Sequence, residues 1–319
     1  MNRFSDAVKT LLKDATLTTL VLLKIMIPVS IVVKLLAEFG FIEIIGTGLA
    51  PLMSLVGLPG SFGLVWATAM ATNIYGGLIV FFSLSLTQTF TVSQVTVLGV
   101  LILLAHNLPI EARITQKGGI RLWYMLVLRV GGAFVLGWLL NLFFTTFNIY
   151  NTPSSLLWSS GFEDPSLLYW VIGECRNYFM IFLIILGLLT LMYILKKIGV
   201  IEKLNSLFEP GLNVLGMSKN VAPLAIIGMT LGLAYGGGLI LRETKTGLLS
   251  KKDTFLSLSL LGLSHSLIED TILLLTIGAS LVGILLGRVL FTIVVLFIII
   301  YCINYLSDYR FMKYFFKER

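Results

Sequence analysis

Residues 264–273, SHSLIEDTIL, place a histidine and two adjacent acids inside a long apolar run. The chain contains only two histidines, and the other lies in residues 105–114, AHNLPIEARI, again a few positions before a carboxylate. His106 and His265 are 159 residues apart. Because ionisable groups are costly in apolar surroundings, two such segments indicate a duplicated unit with a role in function.

Composition and hydropathy define the class of the chain. Of its 319 residues 57% are apolar and only 12% are charged, and the mean hydropathy is +0.97. Apolar runs of about 20 residues, the length that a membrane-spanning helix needs, recur along the chain. The clearest are TLVLLKIMIPVSIVVKLLAEF, LLYWVIGECRNYFMIFLIILGLLTLMYIL and VGILLGRVLFTIVVLFIIIYCINYL. We therefore predict an all-α polytopic membrane protein.

Several functional classes find no support in the sequence. It contains no Walker loop or dinucleotide fingerprint, which argues against an ATP-driven pump. Cys175 and Cys302 lie in different apolar segments without metal-ligand spacing. The net charge of +7 reflects basic cytoplasmic loops. We expect no enzymatic activity, no cofactor and no nucleic-acid partner. The charged start, residues 1–15, lacks a cleavage site and predicts a short amphipathic helix on the cytoplasmic surface.

Further landmarks share the offset of the two histidines. The matching pairs are Gly40 and Gly199, Pro51 and Pro210, Gly57 and Gly216, and Arg129 and Arg288. NIYGGLI (73–79) matches LAYGGGLI (233–240) after a slip of one residue. A constant offset in chain order predicts a tandem duplication. Its parts are a first repeat at 16–150, a polar linker at 151–168, a second repeat at 169–308 and a basic tail at 309–319.

The distribution of Lys and Arg predicts that the repeats are inverted. In repeat 1 the loop at 83–93 is uncharged and the loop at 113–121 is basic, whereas in repeat 2 the loop at 242–252 is basic and TIGASLVG is uncharged. Inversion needs an odd number of crossings, and five per repeat result if 41–58 and 201–217 cross as interrupted helices. Both termini and the basic loops are then cytoplasmic, in the inner membrane of a prokaryote. The alternative is that 41–58 lies flat on the membrane and the repeats are parallel.

Two acid–arginine pairs flank helix turns at equal sequence distances. The pairs are Glu111 with Arg129 and Asp270 with Arg288. In an antiparallel hairpin equal distances from the turn mean equal depth, here about 13 Å from the turn and near the membrane midplane. We therefore predict two intramembrane ion pairs with a gating role. The alternative is that each pair only holds its hairpin together.

Polar residues beside His265 extend the candidate site in repeat 2. The i,i+4 spacing places His265 and Glu269 on one helical face, and Ser266 and Asp270 share the next. Glu269 has no basic partner on its own hairpin at that depth, so it could carry a coupling proton. The alternative is a single interhelical hydrogen bond.

The equivalent segment of repeat 1 contains His106 and Asn107, followed by Pro109. A proline inside a helix frees the carbonyl four residues earlier, at Ala105, which can line a polar site. Histidine combined with Asp or Glu suits a divalent metal ion, but two histidines leave a metal site unassigned. The alternative role of the histidines is an interhelical hydrogen bond.

A second candidate site lies in WATAMATNIYGG (66–77) and GMTLGLAYGGGLILRET (228–244). Thr72, Asn73 and Tyr75 in repeat 1, and Tyr235 in repeat 2, supply polar groups that could bind substrate. The glycine pairs allow the backbone to approach a ligand or to unwind. The alternative is close helix packing by small residues.

These motifs resemble the nucleoside recognition, or Gate domain, family of membrane proteins. The resemblance rests on GFIEIIGTGLAPLMSLVGLPG, GVIEKLNSLFEPGLNVLGMS, the YGG helices and SHSLIED, and it spans nearly the whole chain. It implies paired inverted gate units with broken or re-entrant helices, as in relatives that include spore-maturation membrane proteins and the cores of nucleoside and ferrous-iron transporters. The iron transporters carry an attached GTPase, which this sequence lacks.

The predicted function is that of a secondary transporter for a small polar solute, coupled to protons or sodium. A divalent-metal transporter that uses the His, Glu and Asp residues is the alternative within transport. An accessory membrane subunit of a larger complex is the alternative from another class. The expected partners are the substrate or ion and membrane lipid, and the chain could form a homo-oligomer.

Overall fold

The computed structural model describes residues 2–157, 166–200, 203, 206, 211 and 222–317. The described helices are α1 (Asn2–Glu38), α2 (Phe41–Ser54), α3 (Phe62–Ala71), α4 (Ile74–Ser85), α5 (Val92–Leu104), α6 (Leu108–Lys117), α7 (Leu122–Leu126), α8 (Gly132–Thr146), α9 (Leu167–Lys197), α10 (Ala222–Leu231), α11 (Leu233–Lys245), α12 (Lys251–Leu263), α13 (Glu269–Leu275), α14 (Arg288–Asn304) and α15 (Asp308–Tyr314). Two π-helical segments, Val127–Gly131 and Val282–Gly287, immediately precede α8 and α14.

Among the described residues, five helical stretches are long and apolar enough to cross a membrane. They are Asp6–Glu38, Val92–Lys117, Leu122–Thr146, Leu167–Lys197 and Val282–Asn304. The predicted all-α polytopic class is confirmed. The residues from Asn2 onward, which include most of the predicted surface helix, form the first turns of α1.

Contacts between loops define two ends of the helical bundle. End A holds the pairs Thr91–Pro153 and Leu157–Thr276, and end B holds the pairs Ile120–Phe316 and Lys252–Asp308. Helix α5 therefore starts at end A, whereas its repeat mate α12 starts at end B. The equivalent turns at Gly119 and Gly278, which have φ angles of 89° and 86°, also lie at opposite ends. The two repeats are inverted, as the Lys and Arg pattern predicts.

Local sequence explains where the two central helices begin. Thr91 and Gln94 form a capping box at the start of α5, and Ser250 and Asp253 form the equivalent box at the start of α12. Both helices are apolar around most of their circumference and are buried on all faces. A helix that is apolar all round belongs at the centre of a bundle, and the other helices pack around this pair.

Helices α3 and α4 form a re-entrant hairpin that turns at Thr72 and Asn73. A methyl group on Gly77 would lie 2.8 Å from the Ala69 Cβ and 3.2 Å from the Val65 carbonyl oxygen. Only an antiparallel arrangement brings these residues together, and the glycine permits the close approach. The helices contain 10 and 12 residues and are about 15 and 18 Å long, shorter than a hydrocarbon core of about 30 Å.

Helices α10 and α11 repeat this hairpin in the second half of the chain. The turn lies at Gly232, whose φ of 98° is unfavourable for residues with a side chain. A methyl group on Gly236 would overlap the backbone of Gly228 on the facing helix. The close packing that was the alternative role of these glycines is therefore what the structure contains.

Two of the five segments predicted in repeat 1 are shorter than full-length spans, and the inversion is retained. The 14 residues of α2 extend about 21 Å, too little to cross, and Gly57 faces Asn141 near the end-A terminus of α8. The segment 62–85 enters and leaves at end A. Three stretches of repeat 1 are long and apolar enough to cross: α1, α5 with α6, and α7 with α8. Three is odd, like five, so the repeats stay inverted. The mate of α2, at 201–217, lies almost entirely outside the described residues.

Candidate functional site

Both central helices are interrupted at equivalent positions. Helix α5 ends at Leu104 and α6 begins at Leu108, with Asn107 in a left-handed conformation at φ 51°. Helix α12 ends at Leu263, and Ser266 adopts the same conformation at φ 47° before α13 begins. Such interruptions leave backbone groups without helical partners. Inside a membrane these groups need other partners.

Two arginines that are fully enclosed bind the interrupted backbone. Arg129 Nε donates to Leu104 O at 2.7 Å, and its Nη2 donates to His106 O at 2.9 Å. Arg288 Nε makes the equivalent bond to Leu263 O at 2.8 Å. Both side chains are 0% exposed. A cation at a helix C-terminus satisfies the last carbonyls and is favoured by the helix dipole. The arginines thus bind the carbonyls of Leu104, His106 and Leu263.

The two histidines meet at the centre of the bundle. His106 Nδ1 lies 2.9 Å from Ile102 O, and His265 Nδ1 lies 2.7 Å from Leu261 O. A carbonyl oxygen only accepts hydrogen bonds, so the network assigns the ring proton to Nδ1 in both residues. The two Nε2 atoms face each other at 3.3 Å. Two neutral rings of this tautomer would oppose their lone pairs, so the contact needs a proton or another cation between them.

Two carboxylates complete a central cluster, which we define as His106, Glu111, His265 and Asp270. Glu111 Oε1 lies 3.4 Å from His265 Nε2 and 3.7 Å from His106 Nε2. Asp270 Oδ2 lies 3.9 Å from His106 Nε2. All four residues are buried, with at most 8% of their surface exposed. Donor atoms of His106, His265 and Asp270 lie within 4.8 Å of one another, an arrangement able to hold a metal ion.

The ion pair predicted in repeat 1 is present, whereas the one predicted in repeat 2 is not. Glu111 Oε2 lies 2.5 Å from Arg129 Nη1. Arg288 Nη2 donates instead to Leu103 O at 3.2 Å. Arg288 Nη1 and Asp270 Oδ2 have no hydrogen-bond partner among the described residues. The helix starts explain the difference: Glu111 is the fourth residue of α6, whereas Asp270 is the second of α13, so their side chains point in different directions.

The re-entrant hairpins touch the interrupted helices through backbone hydrogen bonds. Asn107 N donates to Ala69 O at 2.9 Å, close to the turn between α3 and α4. Leu267 N donates to Met229 O at 2.7 Å, close to the turn at Gly232. Each hairpin turn is therefore held against one break in a central helix. The breaks and the turns converge on the region of the central cluster.

The residues of the second predicted site have different positions. The Thr72 hydroxyl donates to a carbonyl one turn earlier at 2.7 Å, and Asn73 Oδ1 accepts from Gly76 N at 3.0 Å, so both stabilise the hairpin turn. Tyr75 is partly buried and lies within electrostatic range of Glu269 and Asp270. Tyr235 is 59% exposed. The structure thus brings Tyr75 near the cluster and leaves Tyr235 on the surface.

The predicted helical face shared by His265 and Glu269 does not form. The chain is unwound between Ser264 and Ile268, so the i,i+4 rule does not apply. His265 contacts His106 and Glu111 instead. Ser266 lies beside the hairpin turn, since a methyl group on Gly232 would be 2.9 Å from its hydroxyl oxygen. Glu269 is partly buried, and no described basic side chain forms an ion pair with it.

Sequence reasoning missed a second buried polar group, between α1 and α9. Ser30 Oγ donates to Glu174 Oε2 at 2.8 Å, and the Tyr178 hydroxyl donates to Ser30 Oγ at 2.9 Å. Glu174 is only 8% exposed. The segment GECRNY inside an apolar span is the signal that could have revealed this group.

Comparison with known proteins supports the membrane class. The chain is 27% identical over 289 residues to the uncharacterized membrane protein YvoD of Bacillus subtilis (strain 168), which covers 85% of this chain and 87% of the relative. No family model matches the chain. No solved structure matches it. The resemblance to Gate domain proteins therefore stays a prediction.

Proposed function

We propose that the protein is a secondary transporter that moves a small polar solute across the cytoplasmic membrane, coupled to protons or sodium. One observation supports this above all others. Two interrupted helices and two re-entrant hairpin turns from inverted repeats converge around a buried cluster of ionisable side chains. In inverted-repeat transporters, discontinuous helices bind substrate and coupling ions near the midplane.

The difference between the repeats supports alternating access. Glu111 is paired with Arg129, whereas Asp270 lies apart from Arg288. Because the repeats are inverted, an exchange of their conformations would pair Asp270 with Arg288 and separate Glu111 from Arg129. The exchanged state has the same architecture viewed from the other side. Two such states, one open to each side, are what alternating access requires.

The charge distribution supports an orientation with end B in the cytoplasm. The described loops at end A, 86–91, 147–157 and 276–280, contain no Lys or Arg. The segments at end B, 113–121 and 242–252, which include the adjoining helix ends, are basic. Basic loops are retained in the cytoplasm. The C-terminal segment lies at end B, where Phe316 pairs with Ile120.

Divalent-metal transport is the second candidate, and the contact between the two histidines favours it. His106, His265 and Asp270 have donor atoms close enough to hold one ion. Imidazole nitrogen with a carboxylate is a donor set that first-row metals accept.

Reconstitution of the purified chain alone tests the proposed function. Vesicles with an imposed proton or sodium gradient would receive a mixture of nucleosides, amino acids, organic acids and divalent metal salts. Mass spectrometry of the vesicle contents should then reveal gradient-dependent accumulation of one class. Arg129→Met should abolish accumulation, and Lys117→Ala, at the end-B terminus of α6, should not. Accumulation that is the same with and without the proton and sodium gradients would contradict secondary transport. A folded wild-type chain that moves nothing would favour the accessory-subunit alternative.

A further inference from the structure

We infer that the central cluster is a binding site for one divalent transition-metal cation, held by His106 Nε2, His265 Nε2 and Asp270 Oδ2. This inference rests on the second candidate function, divalent-metal transport, because it names the ion and the ligands of the same site. Each residue contributes one donor atom to the proposed site, and the hydrogen bonds of the cluster indicate which atom it is.

The backbone presents the correct nitrogen of each histidine. Both Nδ1 atoms donate to carbonyl oxygens one turn earlier, Ile102 O and Leu261 O. Metal-binding histidines almost always donate their second ring N–H to such an acceptor, which fixes the tautomer and the ring orientation. Here the carbonyls direct both Nε2 lone pairs to one point. A structural histidine pair would gain a hydrogen bond across this contact only if one ring carried an extra proton.

The spacing of the two histidine nitrogens matches four-coordinate binding. Nitrogen ligands about 2.0–2.1 Å from a tetrahedral metal lie about 3.3–3.4 Å apart. The two Nε2 atoms are 3.3 Å apart, and Asp270 Oδ2 is 3.9 Å from His106 Nε2. The histidines already have the required separation, whereas the three donor groups are spread over up to 4.8 Å, so the carboxylate needs to approach by about 0.5–1.5 Å.

Asp270 is the carboxylate available for the metal. Its Oδ2 atom is buried and has no hydrogen-bond partner among the described residues. A buried polar atom without a partner indicates a missing ligand, water or ion. Glu111 is held by Arg129 through Oε2, and its Oε1 lies 3.4 and 3.7 Å from the two Nε2 atoms, beside the position of the metal. Three protein ligands leave a fourth position open, which an ion that must enter and leave requires.

The donor set limits the class of ion. Two imidazole nitrogens and one carboxylate favour Zn²⁺, Fe²⁺, Co²⁺ or Mn²⁺ over Mg²⁺ and Ca²⁺, which prefer oxygen ligands. The site also takes one histidine from each repeat. Any movement that separates the repeats would separate the two nitrogens, so a change of access would release the ion.

Cobalt binding to the full-length chain tests the site. The protein would be purified in detergent, without affinity-tag histidines, treated with a chelator and titrated with Co²⁺. We expect one ion per chain and the intense visible absorption of four-coordinate Co²⁺, displaced by Zn²⁺ and not by Mg²⁺. His265→Gln or Asp270→Asn should weaken binding by a factor of at least about 10–100. Glu174→Gln, which alters a buried acid outside the cluster, should leave binding unchanged.

X-ray absorption of the zinc-loaded wild type identifies the metal ligands without any substitution. The spectrum should contain two imidazole ligands, and these identify His106 and His265 because the chain has no other histidine. Absence of stoichiometric binding, or full binding by a folded His106→Gln/His265→Gln variant, would overturn the inference. Metal binding without any transport would support the site and remove the proposed function. Transport of an organic solute by a chain that binds no metal would support the proposed transport function and overturn the metal site.

Discussion

Arg129→Met should destabilise the protein more than Arg288→Met. Each arginine donates hydrogen bonds to two backbone carbonyls at a helix interruption. Each substitution therefore removes a similar set of bonds, and this loss cancels in the comparison. Arg129 also contacts Glu111, whereas no ion pair joins Arg288 to Asp270 among the described residues. The difference between the two variants therefore reports the energy of one buried ion pair.

The expected difference follows from the burial of Glu111. This residue is 5% exposed, and removal of one partner from a buried ion pair costs roughly 3–5 kcal/mol. In a membrane the unfolded reference state also finds polar partners. The lower part of that range, about 3 kcal/mol, is therefore expected. Asp270 forms no ion pair with Arg288 among the described residues, so Arg288→Met changes its surroundings less.

Unfolding in mixed micelles, followed by tryptophan fluorescence in the presence of a chelator, measures both variants. Glu111→Gln added to Arg129→Met should recover most of the difference, because a neutral amide does not need the cation. Asp270→Asn added to Arg288→Met should recover little. Equal destabilisation by the two single variants, or equal recovery in the two double variants, would refute this reasoning.

Three further predictions concern packing, orientation and coupling. Gly236→Ala should lower the unfolding free energy by about 1–3 kcal/mol, since its methyl group would overlap the backbone of α10. Gly238→Ala, with open space around it, should raise the unfolding free energy by roughly 0.5–1 kcal/mol. The reverse order of stability, measured by the same unfolding in mixed micelles, would contradict the hairpin. Cysteines at Lys117 and Lys251, in a background without the native cysteines, should resist an impermeant external reagent in intact cells, and labelling of either would invalidate the orientation. Glu269→Gln should bind ligand normally and lose gradient-driven accumulation while it retains exchange; accumulation at the wild-type level would assign Glu269 a structural role.

Local patterns predicted a large part of the fold. Helix length and apolar content are sums over neighbouring residues, so the long spans were evident from composition alone. The offset between Gly40 and Gly199 identified the duplication, and both residues adopt positive φ angles, 70° and 75°. The inversion followed from loop charge. The number of crossings did not, because a segment such as 62–85 has the composition of a span whether it crosses the membrane or turns back halfway.

At the candidate site, local sequence patterns predict which residues matter but not that these residues meet. The presence of His106, Glu111, His265 and Asp270 in apolar segments follows from the sequence, as does their value as functional candidates, because ionisable groups are rare there. Their meeting at one point depends on packing between residues 159 positions apart.

Tertiary structure alone decided which partners these groups have. Arg129 reaches Glu111, whereas Arg288 turns to Leu103 O, although the sequence spacing of the two acid–arginine pairs is the same. Side-chain direction depends on the residue at which a helix restarts, and α6 and α13 restart at different positions relative to their acids. A periodicity rule assumes an unbroken helix. The interruptions that create this site are the places where that assumption fails.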